Sequence, residues 1–363
     1  MIRILQVVNS MDRAGLETML MNYYRNMDKE KIQFDFLTHR PYRGAYDDEI
    51  EKMGGKIYYA PRLYPQNYVK YFKFMKQFFK DHPEYQIIHS HIDTMSAFPL
   101  YCAKINNVPV RIAHSHTSKL DKDMKFLIKY LAKLAVPKVA NVNYACGNVA
   151  GQFLYGKRNF QIINNAIDLS QFNYSSKTRN RIREELQLTN NFVIGNVGRY
   201  CYIKNQEFLL KVMVKICKKM PNAKLLLIGS GDDEEKLRES ASKLGIAENV
   251  LFLRNRSDVN ELYQAMDVFA MPSLFEGIPL VAIEAQANGL PVILSDKIST
   301  EVVLTDNVHM QSIEVDPTVW ADKIIDINMS RNNESIDILV DKGYDIRLEA
   351  NKLMEKYLSL YPK

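Results

Sequence analysis

Short apolar runs alternate with amphipathic stretches along the whole of this 363-residue chain. Residues 4–8, 34–37, 57–59, 87–89, 110–113, 142–146 and 161–163 read as strands, followed by 193–197, 224–228, 250–252, 268–271 and 292–294. Most of the intervening stretches repeat apolar residues every three or four positions, the signature of helices with one buried face. Strand and helix in strict alternation predict parallel sheets covered on both faces, and two successive sets predict two doubly wound, Rossmann-like α/β domains. The polar turn at 164–172 marks the boundary, giving expected domains of 1–168 and 169–343. A last helix at 344–360 keeps Ile346, Leu348, Leu353, Met354, Tyr357 and Leu358 at helical spacing but has no strand to feed. Residues 344–363 are therefore assigned to a helix crossing back to the first domain.

Composition adds limits. Hydrophobic residues at 47% and charged residues at 25% are ordinary for a globular chain. No apolar run approaches the ~18 residues needed to span a bilayer, and the first run is broken by Gln6, so it reads as a buried strand and not as a signal segment. A cytoplasmic location is expected. Cys102, Cys146, Cys201 and Cys217 form no paired spacing, which argues against a disulfide framework or zinc knuckle. The net charge of +6 hides an asymmetry: residues 1–165 hold 24 Lys and Arg against 14 Asp and Glu, so the first half is basic and the second acidic. A basic half suits phosphates or an anionic surface.

In doubly wound sheets, ligands sit beyond the carboxyl ends of the strands, so the loops there carry the candidate chemistry. After residues 268–271 comes a loop, then Glu276-Gly277-Ile278-Pro279-Leu280 opening an apolar helix that contains Glu284. Pro279 fits a first helical turn. The backbone N–H groups of Gly277 to Leu280 at a positive helix end suit an anion or sugar hydroxyls, and two carboxylates eight residues apart suit vicinal hydroxyls. Arg199, after the strand ending Gly195-Asn196-Val197, and Lys204 can bracket a diphosphate, one as a planar fork and the other as a point charge. Gly229-Ser230-Gly231 and Arg254 follow two further strands. In the first half, Gly15 opens a helix after the first strand, Glu17 fits that helix's first turn, and His89, His91, Asp93, His114 and His116 follow two other strands. Asp121-Lys122-Asp123 has the form of a metal-binding D-x-D but follows polar residues, and reads as a helix start.

The pattern Pro272-Ser273-x-x-Glu276-Gly277-x-Pro279 with Glu284 closing an E-x7-E resembles the family 4 retaining glycosyltransferases of GT-B fold, especially bacterial capsule and exopolysaccharide enzymes. The resemblance covers the whole chain and is strongest over 192–296. It implies two Rossmann-like domains facing across a cleft. It also implies a nucleotide-sugar donor, most simply a UDP-sugar, with Glu276 on the donor sugar, Glu284 on the ribose, and Arg199 and Lys204 on the diphosphate. Gly229 would lie near the nucleotide and Arg254 in the stretch that reads the base. This chain has Arg254 where the family often has Gly. It has Ala14-Gly15 where the family has Gly-Gly, which leaves the close approach to the donor to Gly15. His116, more than His114, would touch the donor sugar. His116, Glu276, Arg199 and Lys204 form the implied catalytic set, with no cofactor and no metal required.

The acceptor implied is a saccharide, often lipid-linked in this family. Two Lys-bearing helices of the first domain, at 68–80 and around Lys125, Lys129 and Lys133, offer a docking face for an anionic membrane. Nucleic acid is not expected as a partner. Rival classes are a GT-B epimerase or hydrolase, which lacks this Glu276–Glu284 segment, and a non-catalytic sugar-binding protein. A nicotinamide oxidoreductase would need a G-x-G-x-x-G after the first strand, and residues 9–15 do not supply it.

Overall fold

The structure is a computed structural model that describes residues 1–120, 125–254 and 256–362. The D-x-D segment at 121–123 and Asn255 lie outside the described residues. The chain forms two compact units, Met1–Ala166 together with Ile346–Lys363, and Ile167–Asp345.

The first unit is built on seven parallel strands: β1 (Ile2–Val7), β2 (Ile32–Thr38), β3 (Ile57–Tyr59), β4 (Ile87–Ser90), β5 (Val110–Ser115), β6 (Val142–Ala145) and β7 (Gln161–Ile162). Their order is β3-β2-β1-β4-β5-β6-β7. The chain runs outward in one direction from β1, then returns to the middle at β4 and runs the other way, so β1 and β4 flank the switch point. β2 is buried at all seven positions, as expected where helices cover both faces of a sheet. The helix Tyr68–Asp81 buries Tyr71, Met75, Phe78 and Phe79 on one side. The helix Ile346–Leu360 packs against the helix Gly15–Asn26 and buries Ile346, Ala350, Leu353, Met354 and Tyr357. Leu348, counted at sequence level with that apolar stripe, is instead exposed.

The helix Phe126–Val139 is turned in a way the lysine spacing did not indicate. It buries Ala132, Val136 and Val139, while Phe126, Leu127, Tyr130, Leu131 and Leu134 face solvent. The lysines lie to the side: Lys133 sits 4.1 Å from the Phe153 ring centre, and Lys125 sits 3.8 Å from that of Tyr64. The exposed face is apolar with a basic margin. No helix among the described residues is long and apolar enough to cross a membrane.

The second unit has six parallel strands: β8 (Val193–Val197), β9 (Lys224–Ile228), β10 (Val250–Leu253), β11 (Val268–Met271), β12 (Val292–Ser295) and β13 (Val308–Gln311), in the order β10-β9-β8-β11-β12-β13. β13 was not anticipated; it is an edge strand, half-buried at every position, with His309 and Gln311 interrupting its apolar pattern. The core centres on Trp320, fully buried, edge-on to Phe208 at 5.6 Å and donating its indole N–H to the Ser312 carbonyl at 2.7 Å. The two ends of this unit lie side by side, with the Ile167 N–H on the Tyr344 carbonyl at 3.0 Å.

Candidate functional site

In the second unit the switch point lies between β8 and β11, and the loops after both strands converge there. The loop after β8 makes a single turn of 3-10 helix over Tyr202–Lys204. Asn205, in the left-handed region at φ 54°, then turns the chain into the next helix and donates its side-chain amide to the Pro272 carbonyl at 3.1 Å. The Leu274 N–H reaches the Ile203 carbonyl at 2.8 Å. These two bonds tie the loop after β8 to the loop after β11. They place the Lys204 ammonium 2.7 Å from the Glu276 carboxylate, both side chains about one-fifth exposed. Glu276 is fixed from the other side as well, its carbonyl accepting the Ser299 N–H at 3.1 Å. Arg199, earlier in the same loop, is exposed, and its carbonyl accepts the Gln206 amide at 3.0 Å. Gly229, after β9, has φ +149°, and a Cβ there would lie 2.1 Å from the Gly198 carbonyl oxygen. A side chain at 229 would therefore push the two loops apart.

The helix Leu280–Ala287 begins at this edge with no side-chain cap. Pro279 sits at its cap position with extended ψ, one residue before the first-turn position read from the sequence. Gly277 and Ile278 form the turn leading into it. Glu284 lies a turn inside. Tyr263, itself fully buried, donates its hydroxyl to Glu284 at 2.9 Å. Burial pushes the Glu284 carboxyl up to about 7, against the pull of that hydrogen bond. Glu284 is thus not a solvated helix residue, and Tyr263, which sequence reasoning missed, holds one of its oxygens. Arg254 keeps its place after β10, but its side chain is pinned at 2.6 Å to Glu234, which also binds Arg238 at 2.9 Å.

The first unit gathers its candidates at the equivalent edge. Gly15 opens the helix Gly15–Asn26, and a Cβ on it would meet nothing within 4 Å; packing inside the unit does not demand glycine there. Residues i and i+2 of a strand face the same side, so His89 in β4 with His91 just past it, and His114 in β5 with His116 just past it, bring four imidazoles together. The Gln6 amide donates to the Tyr357 hydroxyl at 3.3 Å, and that hydroxyl lies 2.6 Å from His89 Nδ1. His89 Nε2 is 3.1 Å from His114 Nδ1. Gln6 Oε1 lies 2.8 Å from His91 Nε2, and His91 Nδ1 lies 3.1 Å from His116 Nε2. With the Gln6 oxygen as acceptor, the network assigns the proton of His116 to Nε2 and leaves Nδ1 as acceptor. Burial drives all four below the usual histidine range, His116 to about 3. Nitrogens of His89, His91 and His114 lie within 4.8 Å of one another, but a metal bound there would have to break most of these hydrogen bonds. Asp93 accepts the His116 and Thr117 N–H groups at 2.7 and 3.1 Å and so shapes the loop that carries His116.

In the second unit the strand-end loops bring the Lys204 ammonium against the Glu276 carboxylate, and comparisons with known proteins give the family. Residues 178–336 match the family model "Glycosyl transferases group 1". EpsF of Bacillus subtilis (strain 168), which bears a provisional glycosyltransferase name, is 34% identical over 98% of this chain and 96% of its own length. The capsular polysaccharide biosynthesis glycosyltransferase CapH of Staphylococcus aureus is 28% identical over 99% of both chains. A UDP-Gal:alpha-D-GlcNAc-diphosphoundecaprenol alpha-1,3-galactosyltransferase of Escherichia coli is 24% identical over 76% of both. Among solved structures, Anabaena HepE in complex with UDP superposes with a TM-score of 0.82 over 99% of this chain and 100% of its own, at 18% identity. The end-to-end match to EpsF, together with the two parallel-sheet units, shows that this chain belongs to the group 1 glycosyl transferases and has the GT-B fold.

Proposed function

We propose that the chain moves a sugar, with retention, from a UDP-sugar to a lipid-linked saccharide during surface-polysaccharide synthesis. The observation that carries this reading is the Lys204–Glu276 pair at the β8–β11 switch point, with Glu284 behind it. Glu276 accepts donor-sugar hydroxyls, while Glu284 accepts a ribose hydroxyl. Arg199 and Lys204 take the diphosphate and offset the charge that grows on the departing UDP. The backbone from Gly277 through Ile278 and Pro279 to Leu280 lines the helix start, Gly229 lets the neighbouring loop approach, and backbone beside Arg254 reads the base. Gly15 and His116 carry the remaining donor contacts, His116 through its Nδ1 acceptor.

Because the two cations take the part a divalent ion would play, the reaction runs without metal: turnover unchanged by a chelator is expected, and loss restored by Mg2+ or Mn2+ would sink that element. The names of CapH and of the E. coli relative support the polysaccharide setting and the lipid-linked acceptor. The apolar outer face of the helix Phe126–Val139 supports peripheral docking on a membrane. The primary test is a thermal-shift screen of UDP-, GDP- and ADP-sugars. A ligand at 100 times its Kd stabilises the fold by about 2.7 kcal/mol, and a UDP-sugar is expected to give the largest shift. A larger shift with a GDP- or ADP-sugar would overturn the choice of base; no shift with any of them would overturn the donor site.

A further inference from the structure

The first unit carries two features on a single helix that the donor chemistry does not use. At the start of the helix Phe126–Val139 lies a cavity of about 220 Å3, with Arg40, Arg62, Lys125 and Lys129 in its wall. The field there is strong enough to bias a phenol: hydrogen bonding from Arg40 and the nearby Lys125 charge hold the Tyr64 hydroxyl below its usual range. Asn9, just past β1, and Met95, just past β4, also line this cavity, so it opens at the β1–β4 switch point, on the sheet edge that carries Gly15 and His116.

Along the same helix runs an apolar groove of about 340 Å3. Leu131, Ala135 and Val139 form one wall, with Phe72, Phe98 and Tyr101 opposite. Phe72 lies 6.2 Å from both Phe98 and Tyr101, so three rings line the far wall together. Tyr101 and Leu131 are about half exposed, at 47% and 56%. The stretch of helix along the groove, from Ile128 to Val139, is about 16 Å long. An exposed apolar groove of this kind normally marks a binding surface, and this one runs along a helix whose first turn borders a cation-lined cavity.

We infer that the two together bind the lipid end of the acceptor, a polyprenyl diphosphate, with the diphosphate in the Arg40–Arg62 cavity and the first isoprene units in the groove. The inference rests on the lipid-linked reading of the acceptor and gives it a place. Two guanidinium forks suit phosphate oxygens in a way that ammonium groups alone do not. A prenyl diphosphate carries one chain attached directly to its charged head, matching one groove beside one cavity. A glycerolipid would bring two chains.

Farnesyl diphosphate, a soluble short member of the class, is the probe, titrated into the full chain by calorimetry alongside inorganic diphosphate. Farnesyl diphosphate is expected to bind at least ~10-fold tighter, a difference of about 1.4 kcal/mol. Ala135→Trp, which fills the groove, should reduce it to the affinity of inorganic diphosphate and leave the latter unchanged. The double variant Arg40→Ala/Arg62→Ala should weaken both at least ~10-fold. UDP-induced thermal stabilisation, retained in every variant, reports the fold and the donor site separately. Equal affinity of the two probes for the native protein overturns the inference. So does an Ala135→Trp variant that binds farnesyl diphosphate normally while losing only flotation with phosphatidylglycerol vesicles or self-association in sedimentation. If UDP stabilises the chain and farnesyl diphosphate does not bind, this site fails and the donor reading stands. If farnesyl diphosphate binds as described and no nucleotide sugar stabilises the chain, the reverse holds.

Discussion

Glu276 and Glu284 stand eight residues apart and have different surroundings. Glu276 faces a lysine at the lip of a loop, whereas Glu284 is partly buried and accepts the hydroxyl of the fully buried Tyr263. Glu276→Ala and Lys204→Ala should each lower turnover at least ~100-fold, about 2.7 kcal/mol of transition-state stabilisation. Their melting temperatures should hardly move, since a partly exposed ion pair contributes roughly 0–1 kcal/mol; near-normal transfer in both variants would refute the assignment. Glu284 gives a pH prediction. Its carboxyl titrates near 7 in the fold against 4.5 in the unfolded chain. Between those values the folded state holds a proton that the unfolded state does not. The stability from this group is thus complete below about 4.5 and is lost as pH rises to about 7. At about 1.4 kcal/mol per unit, the loss reaches roughly 3 kcal/mol. Glu284→Gln should abolish that slope in urea titrations and be more stable than the native chain at pH 8. Since the carboxylate is the better acceptor for a ribose hydroxyl, UDP affinity should rise through pH 7 in the native protein and stay flat in Glu284→Gln. An unchanged slope in the variant would show that Glu284 is not the group responsible.

At the scale of elements, twelve of the thirteen strands among the described residues were legible as short apolar runs between helical patterns, most of them because buried parallel strands have little choice of residue. β13 was not, because an edge strand takes polar residues such as His309 and Gln311 without penalty. The site residues stood in recognisable strings at strand ends. Their partners did not: Tyr263 lies 21 residues from Glu284, and Tyr357 lies 268 from His89, so only the fold could join them. A signal for the imidazole cluster was nonetheless present, since His89/His91 and His114/His116 repeat at the strand period on what became neighbouring strands. The final helix depends on that cluster. Tyr357→Phe removes the hydroxyl that Gln6 and His89 share, and the buried groups left without a partner should cost about 1–3 kcal/mol. A lowered urea midpoint with an unchanged m-value would agree; an unchanged midpoint would show that the hydroxyl contributes nothing.

At the scale of the molecule, the buried imidazoles of the first unit and Glu284 of the second respond to acid in opposite directions, with the depressed His309 of the second unit offsetting part of the effect of Glu284. In the first, burial depresses His89, His91, His114, His116 and His39, the last to about 4. Their contribution is complete above the unfolded value of 6.5 and is lost as pH falls below it, at up to about 1.4 kcal/mol per group per unit. Over part of the same range Glu284 makes the second unit more stable as pH falls. The only tryptophan, Trp320, belongs to the second unit. Its fluorescence and the far-UV dichroism of the whole chain should therefore melt at clearly separate temperatures at pH 5 and at closer ones at pH 8. Coincident transitions at both pH values would refute the separation. The two-part make-up of the first unit, Met1–Ala166 with Ile346–Lys363, also bears on how the protein is born. A growing polypeptide ordinarily completes its domains in the order they leave the ribosome. Here the sheet of residues 1–166 is synthesised first yet lacks the helix that supplies Tyr357 until residues 346–363 emerge, while residues 167–345 are already whole. The second unit can finish folding first, and a nascent chain stalled short of residue 346 would hold one finished unit behind an unfinished one, a state that chaperones or proteases could recognise.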